Sequence, residues 1–418
     1  MRPGIHGPRD GAALPARWWW ALLPVVLVPS IACSQESPTS GLAVSSDAAL
    51  QEMANGLLQD ISERSGLSFT EPVRVEWRSE EELVRYLASK LDEEFREGEV
   101  ERIRDSYALL GLVPSDLDLG ALFLALYTEQ VAGFYDPDSV ALYVRSGQDE
   151  ETVETVLVHE LVHAAQDQAV DLDALTARAR GNDRQIAAQA AAEGHATLVM
   201  LEYALEKQQG AQVDLVAIPN FIDLMGPSLA GAASASPVLS TAPRLVRESL
   251  IFPYVQGTEY VRVLWQQRPG RPPPFGDLLP HSTEQVLEPD RAFGPEPDAP
   301  VDIDINGGGA AVIYTNSLGL AEIGILFEEV AADGEPIGGW EGDQFALVEG
   351  EDESRGLVWW SIWEDEAARD AFVSRGQAVA AALTDATLEA HMLDGRSAAV
   401  LTVGVVPSAP VATIVGGA

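Results

Sequence analysis

The sequence predicts an α+β protein: a mostly helical first domain with a small sheet, followed by a C-terminal α+β module. Three observations predict it. Apolar residues recur at helical spacing over 47–64, 79–111 and 183–209. Two β-prone runs flank "DPDS" at 136–139. Toward the C-terminal end the pattern runs helix, strand, strand, helix, strand, the order expected of an antiparallel sheet that carries helices.

Each element has a local reason. "FTEPVRVEWRS" at 69–79 has strand composition. Ser79 can cap the charged helix or helix pair that follows, with Glu82 at the capping-box position. The segment 128–147 predicts a hairpin turning at Asp136–Ser139. Asp149 can cap the next helix, and Glu150 and Glu151 suit the positive end of its dipole. A second strong helix is expected over 183–209, and weakly periodic helix and loop over 211–243. Residues 244–267 predict two helical pieces bent near Pro253. Later come a helix at 316–331, strands "DQFALVEG" and "GLVWWSIWE", a helix at 365–384 and the strand "SAAVLTVGVV". The Trp-rich strand fits a sheet core. These elements give a first domain at 47–267, a Pro- and Gly-rich connection at 268–305 and a module at 306–418.

The first 32 residues differ in kind. Arg2, Arg9 and Arg17 precede the apolar run "WWWALLPVVLV", and small residues close it. This is the layout of an export signal, and the run is too short for a stable membrane span. Ser30 and Ala32 suit ordinary cleavage, while "SIAC" resembles a lipobox that would make Cys33 a lipidated first residue. The expectation is an exported protein, lipid-anchored in the cell envelope at Cys33 or secreted, touching membrane only through that lipid. Residues 33–46 read as a flexible tether. With one cysteine, no internal disulfide is possible. A net charge of −39 repels phosphates and argues against nucleic acid as a partner.

The chemistry sits in "TVLVHELVHAAQDQ", residues 155–168. The chain has six histidines, and two of them, His159 and His163, stand here four residues apart. Four helical residues turn through about 400°, so both imidazoles leave one face and can chelate a divalent ion. Glu160 lies beside the ion rather than on it, where a carboxylate can take a proton from water. The neighbours are apolar almost all round, so the helix is buried and its polar side chains need partners. A catalytic zinc needs a third protein donor. Glu193 shares the core stripe of the next helix with Ile186, Ala190, Thr197 and Met200. His195 stands about 200° round from it. Glu193 is the favoured third donor and His195 the alternative. Gly194 allows either distortion or close packing against the motif helix.

"HELVH" followed by "EGHAT" resembles the zincin metallopeptidases with a glutamate third ligand. More narrowly, "HELVHAAQDQ", "EGHATLVM", "FPYVQGTEYV", "HSTEQVL" and "GWEGDQFALV" resemble, in that order, a group of secreted bacterial proteins described as zinc peptidases. The resemblance implies a zincin-like domain, Zn2+ held by His159, His163 and Glu193, Glu160 as base, and a peptide or protein substrate. It also implies that the 128–147 hairpin supplies the edge strand on which an extended peptide adds. The family pattern departs at Thr197, where an Asp would support the first histidine; Asp167 or another acid is the expected substitute. An oxyanion donor must come from another segment, with Tyr254, Tyr260 and His281 as candidates. Two other functions compete. One is a non-catalytic envelope or binding lipoprotein on the same scaffold. The other is a metal-storage protein, which needs a closed coordination shell.

Overall fold

The computed structural model describes residues 41–415, apart from 178–180, 234–235, 295–297, 307–309, 351–352 and 407–410. The expected export signal and Cys33 lie outside the described residues. The chain is α+β. It begins with β1 (Ala43–Val44), α1 (Ala48–Ser65), β2 (Val73–Arg78), α2 (Glu80–Glu94), α3 (Glu99–Leu109) and α4 (Leu119–Gln130). The hairpin β3 (Gly133–Asp136) and β4 (Ala141–Arg145) leads to α5 (Glu150–Ala169) and the short α6 (Leu172–Leu175). Then come α7 (Asn182–Gln209), α8 (Phe221–Ala233), α9 (Pro237–Thr241) and α10 (Arg244–Gln267).

The expected caps form. Ser79 and Glu82 close a capping box on α2. Asp149 accepts from Thr152 N at the start of α5. The strands make one sheet in the order β1-β2-β4-β3, parallel except for β3, which pairs antiparallel with β4 at its edge. The end of the segment expected as a tether is strand β1. Ala43 pairs with Val73, and Asn55 both accepts from its N–H and donates to its carbonyl. The bend expected at Pro253 is replaced by one helix, α10, with that proline inside it. Packing along α7 compensates for the missing hydrogen bond. At the contact, a Cβ on Gly194 would lie 2.0 Å from the Gly257 carbonyl carbon, and one on Gly257 would lie 2.1 Å from Ala190 O. Gly194 therefore serves close approach to α10, not to the motif helix α5.

The Pro- and Gly-rich stretch holds α11 (Thr283–Leu287) and α12 (Pro289–Phe293). Its end is a strand where a connection was expected, β5 (Asp302–Asn306), and β6 (Ala311–Asn316), α13 (Gly319–Ala331), β7 (Trp340–Glu349) and β8 (Arg355–Trp363) follow. The described chain ends with α14 (Glu366–Ala382), β9 (Ala386–Leu393), β10 (Arg396–Gly404) and β11 (Val411–Val415). The antiparallel sheet runs β6-β7-β8-β10-β9, and β11 pairs with β5 in a separate ribbon. Trp359 and Trp363 join the core shared with α3, α4 and α13, while Trp360 faces the ribbon. The strand alternation thus buries both faces of the sheet. One apolar cluster runs from Leu83 and Tyr107 through Tyr254 to Phe345 and Leu401, so the core crosses the 268–305 connection. Tyr107 also donates to Glu322 across it.

Candidate metal centre

The helix α5 lies in the core, against α7 and the sheet, because its sides are apolar. His159 and His163 project toward α7, and the contact brings Glu193 to them. The two Nε2 atoms are 2.9 Å apart. Glu193 Oε2 is 3.1 Å from His159 Nε2 and 3.5 Å from His163 Nε2. All three side chains are fully buried. Donor atoms 2.9 to 3.5 Å apart are close enough to share one metal ion. The chemistry also fits. A carboxylate and two imidazoles buried together leave His159 Nδ1 and Glu193 Oε1 without hydrogen-bond partners. Burial holds the His159 ring below its ordinary pKa, which favours the neutral, ligating form. Burial pushes the Glu193 carboxyl up, and the two imidazoles beside it more than offset that, so its pKa is lowered. The group can hold a metal ion.

A further set of residues orients the donors. His163 Nδ1 lies 2.9 Å from Gln166 Oε1, and an amide oxygen can only accept. His163 therefore carries its proton on Nδ1 and presents an Nε2 lone pair to the centre. Gln166 is held in that orientation because its amide donates to Ala192 O at 3.0 Å and lies 3.2 Å from His195 Nδ1. His195 Nε2 in turn donates to Ser65 O at 3.0 Å. Burial pushes the His195 pKa down to about 3, so this ring is neutral and acts by hydrogen bonding. His195 is thus excluded as a direct donor. Asp167, the acid expected to support a ligand, instead accepts from Tyr135 Oη and Leu172 N. Among the described residues no acid supports His159, whose Nδ1 has no hydrogen-bond partner, and the amide of Gln166 supports His163 instead. The signal for it was its position: Gln166 continues the stripe of His159 and His163.

Glu160 sits beside the triad. Its Oε2 accepts from Tyr135 N on β3 at 2.8 Å, and its buried Oε1 has no partner. Burial first, then the charge of Glu193, pushes its carboxyl well above the usual range. Tyr254 reaches the centre from α10: its ring centroid is 6.4 Å from that of His159. Its hydroxyl hydrogen-bonds Glu193, and burial raises the phenol well above its ordinary value. The other two oxyanion candidates are placed elsewhere. Tyr260 donates to Leu278 O. His281 is exposed, and its backbone N–H donates to Gln285. Its neighbour Thr283 is fastened to Asp183, which lies ten residues, roughly 15 Å, along α7 from Glu193.

The centre is enclosed. His159, Glu160, His163 and Glu193 have no exposure, and Tyr254 has 2%. The edge strand β3 is buried at all four positions, with Tyr86 stacked on Phe134. Comparison with family models, with curated proteins and with solved structures returns no match for this chain.

Proposed function

We propose that this chain is a zinc-dependent peptidase of zincin type, exported to the cell envelope or beyond. The observation that carries the reading is Glu160 Oε1: a buried carboxylate oxygen, without a partner, beside a triad able to hold a metal. A structural metal site has no use for such a group. The motifs "HELVH" and "EGHAT" support the same reading.

His159, His163 and Glu193 would hold the ion. Zinc bound there supplies Lewis acidity, acidifying water and polarising a carbonyl. The chain supplies the rest. Tyr135 N fixes Glu160 Oε2, which leaves Oε1 to take up a proton and pass it to the leaving amine. Tyr254 Oη, close to Glu193, is the donor best placed to stabilise charge on the carbonyl oxygen. Because the groups are enclosed, a peptide reaches them only when β3 or the helices around α10 move apart.

That enclosure favours a second reading, a non-catalytic lipoprotein that keeps a closed metal site. One experiment separates the two. Wild type and Glu160→Gln are prepared with zinc, assayed for bound metal and incubated with a broad peptide library, with and without chelator. The peptidase reading expects zinc in both proteins and chelator-sensitive cleavage by wild type alone. Zinc in both with no cleavage by either favours the closed site, and cleavage by Glu160→Gln at the wild-type rate removes the mechanism. Export and lipidation are tested separately, by labelling with a fatty-acid analogue: label on wild type and none on Cys33→Ser is the expected result for the anchored form.

A further inference from the structure

The antiparallel sheet of the module ends in β6 on one side and β9 on the other, and the two edges are built differently. The register of β6 shifts between Val312 and Tyr314, an irregularity of the kind that keeps an edge from pairing with another chain. β9 has no such protection. It is eight residues long, "ATLEAHML", without Pro, Gly, Lys or Arg. Its register on β10 is unbroken from Ala386 to Leu393. Glu389, Ala390, His391 and Met392 are all exposed.

The direction of its free backbone groups follows from the ladder. Gly404 N donates to Asp385 O, one residue before the strand begins. In an antiparallel pair, alternate residues turn both N–H and C=O toward the neighbour. The odd-numbered residues of β9 therefore face β10, and Leu388, Ala390 and Met392 face outward. Among the described residues, side chains of α14 reach two carbonyls of the strand. Gln377 donates to Leu388 O at 3.0 Å, and Arg369 to His391 O at 3.4 Å. Gln377 is an exposed side chain that can turn aside, and the His391 carbonyl lies on the β10 side.

The strand is its own complement about Ala390. Laid antiparallel against a second copy, Ala390 meets Ala390, Glu389 meets His391 twice, and Leu388 meets Met392 twice. The outward residues form the hydrogen-bonded pairs. The Glu389–His391 pairs are of the closer kind, with Cα atoms about 4.5 Å apart. Within one copy Glu389 Oε2 already lies 3.5 Å from His391 Nε2. Two copies thus bring carboxylates and imidazoles together in alternation, and Met392, which is 52% exposed, gains an apolar neighbour. We propose that β9 is a dimerisation edge, joining two copies of this chain about a two-fold axis at Ala390 so that their sheets run on into one another. The contact is independent of the metal centre.

The test is sedimentation of the full chain over a range of concentrations, with enough salt to screen the repulsion between two acidic copies. A monomer–dimer equilibrium with Kd of about 10–100 µM is expected. Ala390→Lys sets two ammonium groups against each other on the axis and leaves the β10 ladder intact, so it should raise Kd at least about tenfold with circular dichroism unchanged. The charges test the register. His391→Glu opposes carboxylate to carboxylate and should weaken the dimer to a similar degree. Adding Glu389→His restores opposite partners at the same positions and should return Kd to within about threefold of wild type. The proposal is overturned by a chain that stays monomeric at about 100 µM. It is overturned equally by a dimer that Ala390→Lys does not weaken, as association through the N-terminal apolar run would be, or by a double variant no tighter than His391→Glu alone.

Discussion

Gln166 touches three polar groups around the centre: His163 Nδ1, Ala192 O and the His195 ring. Its amide cannot rotate without breaking all three, and so it dictates which nitrogen of His163 faces the ion. Replacing it with Leu, which has similar bulk and no polar atoms, should weaken zinc binding by about 10–100-fold, measured by competition with a chelating dye. Gln166→Glu, which restores an acceptor, should recover part of that loss; a purely packing role predicts instead that Leu is the milder change. Glu193→Ala should lose stoichiometric zinc altogether, because two imidazoles do not complete the site. Glu193 was legible in the sequence because an acid on a core stripe demands an explanation. Gln166 was not, because its meaning depends on His195 arriving from another helix. Tyr254 could be named only as one of three candidates, since nothing local says which hydroxyl points inward.

The pairing of α7 with α10 carries the centre, because it brings Glu193 and Tyr254 together. Its closeness rests on two glycines facing across the contact. Gly257→Ala sets a methyl group 2.1 Å from Ala190 O, so the helices must separate. We expect a loss of about 1–3 kcal/mol in chemical denaturation and a parallel fall in zinc affinity. Stability lost with zinc affinity intact would show that the two helices part elsewhere. At this scale the long amphipathic helices and their caps were readable from local pattern. The strands β1, β6 and β9 were not: β1 has two residues, β9 is largely exposed, and the first half of β6 shows no clean alternation. The continuity of α10 through Pro253 was unreadable for another reason, since tertiary packing overrides the local break.

Over the whole molecule, buried acids should govern the response to pH. Burial pushes Asp183 up to about 7 and Glu284 and Glu322 up to about 8, from ordinary values of 3.8 and 4.5. At these three sites the folded chain therefore holds more protons than the unfolded chain between about pH 4 and 8, while the lowered His159 and His195 act the other way below about pH 6. The three acids contribute stability that is present below their unfolded pKa and lost as pH rises through the folded values. The midpoint of thermal unfolding should fall between about pH 5 and 8, and less steeply in Asp183→Asn. A midpoint that climbs across that range would contradict the burial of these groups in neutral form. The net charge of −39 acts in the same direction, and added salt should blunt its share but not theirs. Because β5 has to wait for β11, more than a hundred residues downstream, to complete its ribbon, the side of the sheet carrying Trp360 and Ile362 stays sticky throughout synthesis of everything between. A stalled or clipped chain would bare that greasy side, and aggregates rather than stable fragments are the fate it faces.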